Sequence, residues 1–255
     1  MMDKKKMNDQ VMDVAAKLIS RSTNIVAFTG AGISTESGIP DLSQISEILS
    51  ADRGFNGGVF GLLDSRFAKT DPVEFYRLYR KTFFQPSAKP NFAHKFLAYL
   101  EAQNKLIGIA TMNIDYLHQQ ADSKTVYEYW GDMRKNHCSY CHRSYDWDVV
   151  KEQQIPRCPV CQHVIVPDFV LRNLATYQSE ISEGQKLLAQ ADLLLIVGTR
   201  RSPNSFSSKI PKIVINDEID NKLRDQTIYI NGKAATVFQE LNYRIAKNTF
   251  HKNAV

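Results

Sequence analysis

Four short apolar runs constrain this chain more than any other feature: NIVAFTGAG (24–32), KLIGIAT (105–111), LLLIVGT (193–199) and KIVIND (212–217). Each is nearly continuous in Val, Ile, Leu and Ala, and each stops abruptly at glycine or a polar residue. A strand with one wet face alternates apolar and polar residues, whereas a strand apolar throughout is covered on both faces. Between the runs the period changes. Residues 9–22 place Val11, Val14, Ala15, Leu18 and Ile19 on one helical stripe. PNFAHKFLAYLEAQN (90–104), ISEGQKLLAQA (181–191) and AATVFQELNYRIAKN (234–248) read the same way, and TIYING (227–232) adds a further short strand. Residues 43–93 are mostly helical in pattern, interrupted by GFNGGVFG, which reads as flexible. Strands alternating with helices predict an α/β fold: a Rossmann-like parallel sheet with helices on both faces.

The 255 residues suffice for one large domain with a smaller one. Net charge is +5, but the lysines and arginines are dispersed and the only basic run is KKK at 4–6. Nucleic-acid binding needs a clustered patch or a recognisable module, so no nucleic-acid partner is expected. The N-terminal residues lack the apolar stretch of a signal peptide, and no window approaches a membrane span. A cytoplasmic protein with no membrane partner is therefore expected, in a compartment that disfavours structural disulfides.

That compartment gives the four cysteines their meaning. Cys138-x2-Cys141 and Cys158-x2-Cys161 are two identical knuckles separated by sixteen residues. The spacing fits a zinc site, and four thiolates close the tetrahedral shell, leaving no position for water. A structural zinc ion is expected, with His137, His142 and His163 as bystanders. Thr29-Gly-Ala-Gly-Ile-Ser34 follows the first strand; Gly30 and Gly32 would let backbone approach a pyrophosphate. The spacing is not G-x-G-x-x-G, because the next glycine is Gly38, so an ordinary strand–helix turn reads equally well. MNID (112–115), GTRRS (198–202) and IND (215–217) place polar residues just beyond apolar strands. Ligands of open parallel sheets sit outside such carboxyl ends, so a dinucleotide crevice is expected there.

Taken together these segments resemble the sirtuin family. The resemblance rests on GAGISTESGIPD (30–41), PNFAH (90–94), TMNIDYLHQQA (111–121), the cysteine knuckles, VPDFVL (166–171), VGTRRSPNS (197–205) and VIND (214–217). It spans roughly residues 10–245. It implies a Rossmann-like NAD-binding domain from residues 1–42, 94–133 and 166–255. A small domain would join a helical insertion (43–93) to a zinc-ribbon module (134–165). Family roles imply that Gly30, Ala31, Gly32 and Ser34 line the NAD phosphates and ribose, and that Ile39 and Asp41 border the nicotinamide. Asn113 and Asp115 would act at the nicotinamide ribose as catalytic and binding residues. Gly198, Thr199 and Asn216 would lie along the adenosine half.

The resemblance also has departures. Where sirtuins read Glu-Leu-His-Gly, this chain reads Glu128-Tyr129-Trp130-Gly131, with Trp130 at the position of the catalytic histidine. An indole offers only an N–H donor and cannot take a proton. His94 and His118 stand at helix positions where the family often has histidine, and read as structural. Met112, Leu42-Ser43, Tyr116 and Arg172-Asn173-Leu174 also differ from the family. The expectation is therefore an atypical sirtuin lacking the catalytic histidine. It would cleave the nicotinamide–ribose bond of NAD and transfer the ADP-ribosyl group, with ordinary lysine deacylation doubtful and a protein among the candidate acceptors. The alternative is a catalytically silent sensor of NAD or ADP-ribose that signals to a partner.

Overall fold

The computed structural model describes residues 4–64, 66–169 and 177–253. The chain runs α1 (Lys4–Arg21), β1 (Ile25–Thr29), α2 (Leu42–Ser50), α3 (Gly58–Leu62), α4 (Phe67–Thr70), α5 (Pro72–Lys81), α6 (Phe92–Ala102) and β2 (Leu106–Thr111). It continues through α7 (Leu117–Gln120), β3 (Val126–Glu128), β4 (Gly131–Cys138), β5 (Ser144–Tyr145), α8 (Asp148–Glu152) and β6 (Ile165–Phe169). The last elements are α9 (Gln178–Leu188), β7 (Leu193–Val197), β8 (Lys212–Asn216), β9 (Lys222–Arg224), β10 (Thr227–Asn231) and α10 (Ala234–Asn253).

The expected α/β architecture is present. Seven strands form one sheet in the order β3-β2-β1-β7-β8-β10-β9. The described pairings are parallel except that of β9 with β10. Every residue of β1 and β7 is buried, as continuous apolar runs require. Alternate side chains serve opposite faces. Ile25 and Ala27 of β1 pack with Ala15 and Ile19 of α1, Phe96 and Leu97 of α6 and Phe238 of α10. Val26 and Phe28 face the other way, toward Tyr129 and Leu187 of α9.

Beyond this sheet lies a second layer of structure. Strands β5, β4 and β6 make a three-stranded antiparallel sheet. The helices α2, α3 and α5 share one core with it: Ile45, Leu49, Leu62, Phe75, Tyr76 and Tyr79 pack with Met133, Val150, Val164 and Val166. The Tyr76 hydroxyl donates to the Ile165 carbonyl. Arg80 of α5 donates to the Val150 and Gln154 carbonyls, at 2.9 and 2.8 Å, near the end of α8. It thereby satisfies acceptors that a helix leaves unpaired. Side-chain caps fix the starts of three helices. Asp41 forms a capping box on α2, Asp71 caps α5 with Pro72 behind it, and Asn91 caps α6.

Two local expectations change. GFNGGVFG contains the short helix α3 rather than an unbroken flexible loop. The edge strands β3 and β9 were not anticipated, being three residues each, too short for a period to show. Arg172-Asn173-Leu174, and the end of VPDFVL, lie outside the described residues. No described helix is long and apolar enough to cross a membrane.

Candidate functional site

The site is built where β2, β1 and β7 end side by side. β1 lies at the centre with β2 on one flank and β7 on the other, so the loops leaving these strands open a crevice above them. Two loops then touch through their backbones. Gly30 N–H donates to the Val197 carbonyl at 3.0 Å, and Gly32 N–H to the Gly198 carbonyl at 2.8 Å. Gly198 holds φ +62°, and a Cβ there would lie 2.2 Å from the Ile33 nitrogen. No other residue type fits that contact without moving backbone. The N–H of Ala31, at the crest of the turn, makes no backbone hydrogen bond among the described residues. Beside this contact Asn216 donates to the Thr199 carbonyl at 3.2 Å.

Ser34, Asn113 and Asp115 meet in one hydrogen-bonded cluster. Ser34 Oγ donates to Asp115 Oδ2 at 2.6 Å. Asn113 Nδ2 donates to the same carboxylate oxygen at 3.1 Å and to Ser34 Oγ at 3.2 Å. The Leu117 N–H donates to Asp115 Oδ1 at 3.0 Å. Asn113 is 8% and Asp115 6% exposed, so these polar groups are held by one another rather than by water. Behind them, Thr29 Oγ1 donates to Thr111 Oγ1 at 2.8 Å, and the Asn113 N–H donates to Thr111 Oγ1 at 3.0 Å.

Two imidazoles close the back of the cluster. His94 Nε2 lies 3.4 Å from Ser34 Oγ, and His118 Nε2 lies 3.0 Å from Thr29 Oγ1. Their rings are in contact, with centroids 4.9 Å apart. Burial pushes both down to about 3, so both are neutral at physiological pH. On the neighbouring strand end, burial and the nearby Asp132 raise the carboxyl of Glu128 to about 8.

In front of the cluster is a cavity of about 130 Å³. One end is polar, with Ser34, Asn113 and Asp115; the remainder is walled by apolar side chains including Ile39, Ile45, Leu63, Phe83, Met112 and Trp130. Trp130 packs against both the small-layer core and one face of the main sheet, so its indole sits at their junction. Asp41, expected beside the nicotinamide, accepts from the N–H groups of Ser43 and Gln44. Its neighbours Ile39, Pro40 and Leu42 form the wall. Tyr116 adopts φ +64°, a conformation more natural to glycine, with the Arg134 guanidinium resting on its ring.

Away from the cavity, the Sγ atoms of Cys138, Cys141, Cys158 and Cys161 all lie within 4.8 Å of one another. The two knuckles are built alike. His142 N–H returns to the Cys138 carbonyl and Gln162 N–H to that of Cys158, with His142 and Gln162 both at positive φ. Sulfur separations of 3.4 Å (Cys138–Cys161) and 3.7 Å (Cys141–Cys158) are close to the roughly 3.8 Å edge of a tetrahedron with metal–sulfur bonds near 2.3 Å. The cluster can hold a metal ion. None of the three nearby histidines belongs to it.

The model of the Sir2 family matches residues 30–203, the span that contains the glycine turn, the polar cluster and the four cysteines. The chain belongs to the Sir2 family. It is 39% identical to an NAD-dependent protein deacetylase of Clostridium acetobutylicum over 72% of this chain and 76% of that protein. It is 36% identical to one of Bacillus cereus over 82% and 88%. Among solved structures, one described as the structural basis for the mechanism and regulation of Sir2 enzymes superposes with a TM-score of 0.79. It covers 98% of this chain and 99% of the other at 27% identity. A Sir2 bound to a propionylated peptide gives 0.73 at 29% identity, over 91% and 97%.

The family match corrects one expectation. Trp130 was read as the mark of a sirtuin lacking the catalytic histidine, and that does not hold. His118, 2% exposed and within the matched span, occupies the region of the Sir2 site analogous to that histidine. The expectation failed at His118 itself, which reads in the sequence as a structural residue of a short helix. Of the other anticipated residues, Ala31, Ser34, Ile39, Asn113 and Asp115 share the cavity wall. Gly30, Gly32, Gly198, Thr199 and Asn216 gather at the adjoining loop contact. Phe83 and the Thr29–Thr111 pair were missed. Phe83 follows a helix among other aromatics, and both threonines end strands that read as wholly apolar.

The depressed histidines make stability depend on pH. Their folded values lie below the ordinary value of 6.5, so below that pH the unfolded chain binds protons that the folded chain refuses. Their contribution is complete above pH 6.5 and is lost as pH falls toward 3. Glu128 works in the opposite sense between pH 8 and 4.5, so a difference measurement is needed. Urea denaturation should show His94→Gln gaining stability relative to wild type from pH 7 to pH 4. A pH-independent difference would contradict the burial of a neutral imidazole there.

Proposed function

We propose that this chain binds NAD⁺ in the crevice, cleaves the nicotinamide–ribose bond and passes the ADP-ribosyl group to an acceptor. The observation that carries the reading is the buried Ser34–Asn113–Asp115 cluster at the mouth of an otherwise apolar cavity. The residues present suit the cofactor. Ala31 offers a backbone N–H with no backbone partner among the described residues, at a glycine turn of the kind that accepts phosphate. Asn113 Oδ1 makes no hydrogen bond among the described residues and is free to accept one from a ligand. Bound NAD⁺ would supply an activated ribosyl carbon with a neutral leaving group.

The chain's own groups do the rest. Asp115 presents a carboxylate, fixed by three donors, that would stabilise positive charge on a ribosyl group held at this end of the cavity. Asn113 orients ligand polar groups from the same side. Ile39, Phe83 and Trp130 exclude water from the far end, which strengthens these contacts and protects the group being transferred. The deacetylase relatives support an acylated protein as the acceptor class. The four thiolates support zinc as the resident metal, a closed structural site rather than a catalytic one. The cytoplasm would keep those thiols reduced.

The test is to incubate purified protein with NAD⁺, with and without an acetyl-lysine peptide, and follow nicotinamide by chromatography. Steady release is expected, falling about 100-fold or more in Asn113→Ala, the scale of losing a preorganised polar group. Release with deacetylated peptide would assign the acceptor as the acyl group. Binding without any release would replace the proposal with a sensor of NAD or ADP-ribose. Metal analysis should find one zinc per chain, and a strong chelator should lower the melting temperature. Metal-free protein of unchanged stability would contradict the zinc assignment.

A further inference from the structure

The polar cluster has a second tier, and its protons can be placed from the pattern of contacts. Ser34 has one hydroxyl hydrogen. The short 2.6 Å contact to a carboxylate oxygen assigns that hydrogen to Asp115, because the carboxylate can only accept. Ser34 Oγ can then meet His94 Nε2 only as an acceptor, so Nε2 carries the hydrogen of the neutral ring. The other nitrogen, Nδ1, is left bare. It is buried and without a partner, as this tautomer allows; an orphaned N–H donor in its place would be the costlier arrangement.

His118 repeats the arrangement one step away. Thr29 Oγ1 donates to Thr111 Oγ1, so it accepts from His118 Nε2, and His118 Nδ1 is likewise buried without a partner. The ionisable groups bearing on this pair are the two rings themselves and Asp115. Two neutral imidazoles thus present donors to two hydroxyls. Each hydroxyl in turn sends its hydrogen toward the cluster: Ser34 to Asp115, and Thr29 to the Thr111 oxygen that holds the Asn113 backbone.

We propose that His94 and His118 are positioning residues whose Nε2–H groups fix the Ser34 and Thr29 hydroxyls and thereby aim Asp115 and Asn113 at the cavity. The proposal rests on the reading of that cluster as the ligand-binding centre. The opposite tautomer of His94 would set two lone pairs against each other unless Ser34 turned its hydrogen away from Asp115. The carboxylate draws the serine hydrogen, and only the Nε2–H tautomer of His94 supports that direction.

Two measurements test it. The first uses wild-type protein and needs no activity. ¹⁵N-histidine NMR should show two rings in the neutral Nε2–H form throughout pH 5 to 8. A ring in the Nδ1–H form, or one titrating near 6.5, at either position would overturn the proposal. The second compares His94→Leu, which keeps bulk but offers no donor, with His94→Gln, whose amide can donate from a similar place. Nicotinamide turnover should fall about 10-fold or more in the leucine variant, mainly in kcat, and return to within about 3-fold of wild type in the glutamine variant. Equal losses in both variants, or none in either, would assign His94 to packing alone. If wild type releases no nicotinamide, the proposed reaction fails while the NMR result still decides the tautomers. If the variants do not fold, the same spectra decide the matter.

Discussion

The backbone contact between the Gly30–Gly32 turn and the Gly198 loop is the constraint on which the rest of the site depends. It draws the ends of β1 and β7 together with no side chain between them. That approach sets Ala31 and Ser34 at the cavity edge. Ser34 then meets residues from the loop after β2, so two strand ends converge on one carboxylate while the loop after β7 braces the turn. A methyl group at Gly198 would press on the Ile33 backbone and shift the turn as a whole.

Polar groups this deeply buried are costly unless paired, and the partners of Asp115 come from near and distant parts of the chain. Asp115 accepts from Ser34, Asn113 and Leu117, and Ser34 also contacts His94 of α6. The helix α6 is therefore more than a cover for the sheet, since it carries an imidazole into the cluster. The apolar half of the cavity comes from elsewhere: α2, the segment after α5, and Trp130, where the two cores adjoin. One side of the site is a rigid sheet edge and the other a helical layer resting on the cysteine module.

Much of this was legible in the sequence. The buried strands announced themselves because parallel strands covered on both faces admit almost no polar residue. The cysteine spacing reported its own geometry, since two like knuckles can bring four thiols together. Asn113 and Asp115 stand out as polar residues just past an apolar run, and Ser34 is named by the family resemblance. Other features left no signal. Edge strands β3 and β9 are too short to show a period. His94 and His118 lie on helix stripes where a buried histidine looks like any packed residue, and only their partners in space reveal a shared role. Reading Trp130 as the sign of a missing imidazole failed for the same reason. Sequence position told where one side chain stood and nothing of what faced it across the fold.

The central claim is that the Ser34–Asn113–Asp115 cluster is a binding centre for NAD⁺. Calorimetric titration of the purified protein with NAD⁺, beside the Asp115→Ala variant, tests it most directly. Saturable binding should be seen in the wild type and should weaken by about 10- to 100-fold in the variant, as expected for losing a buried charged acceptor. Absence of binding to the folded wild-type protein, or equal affinity in the variant, would contradict the account.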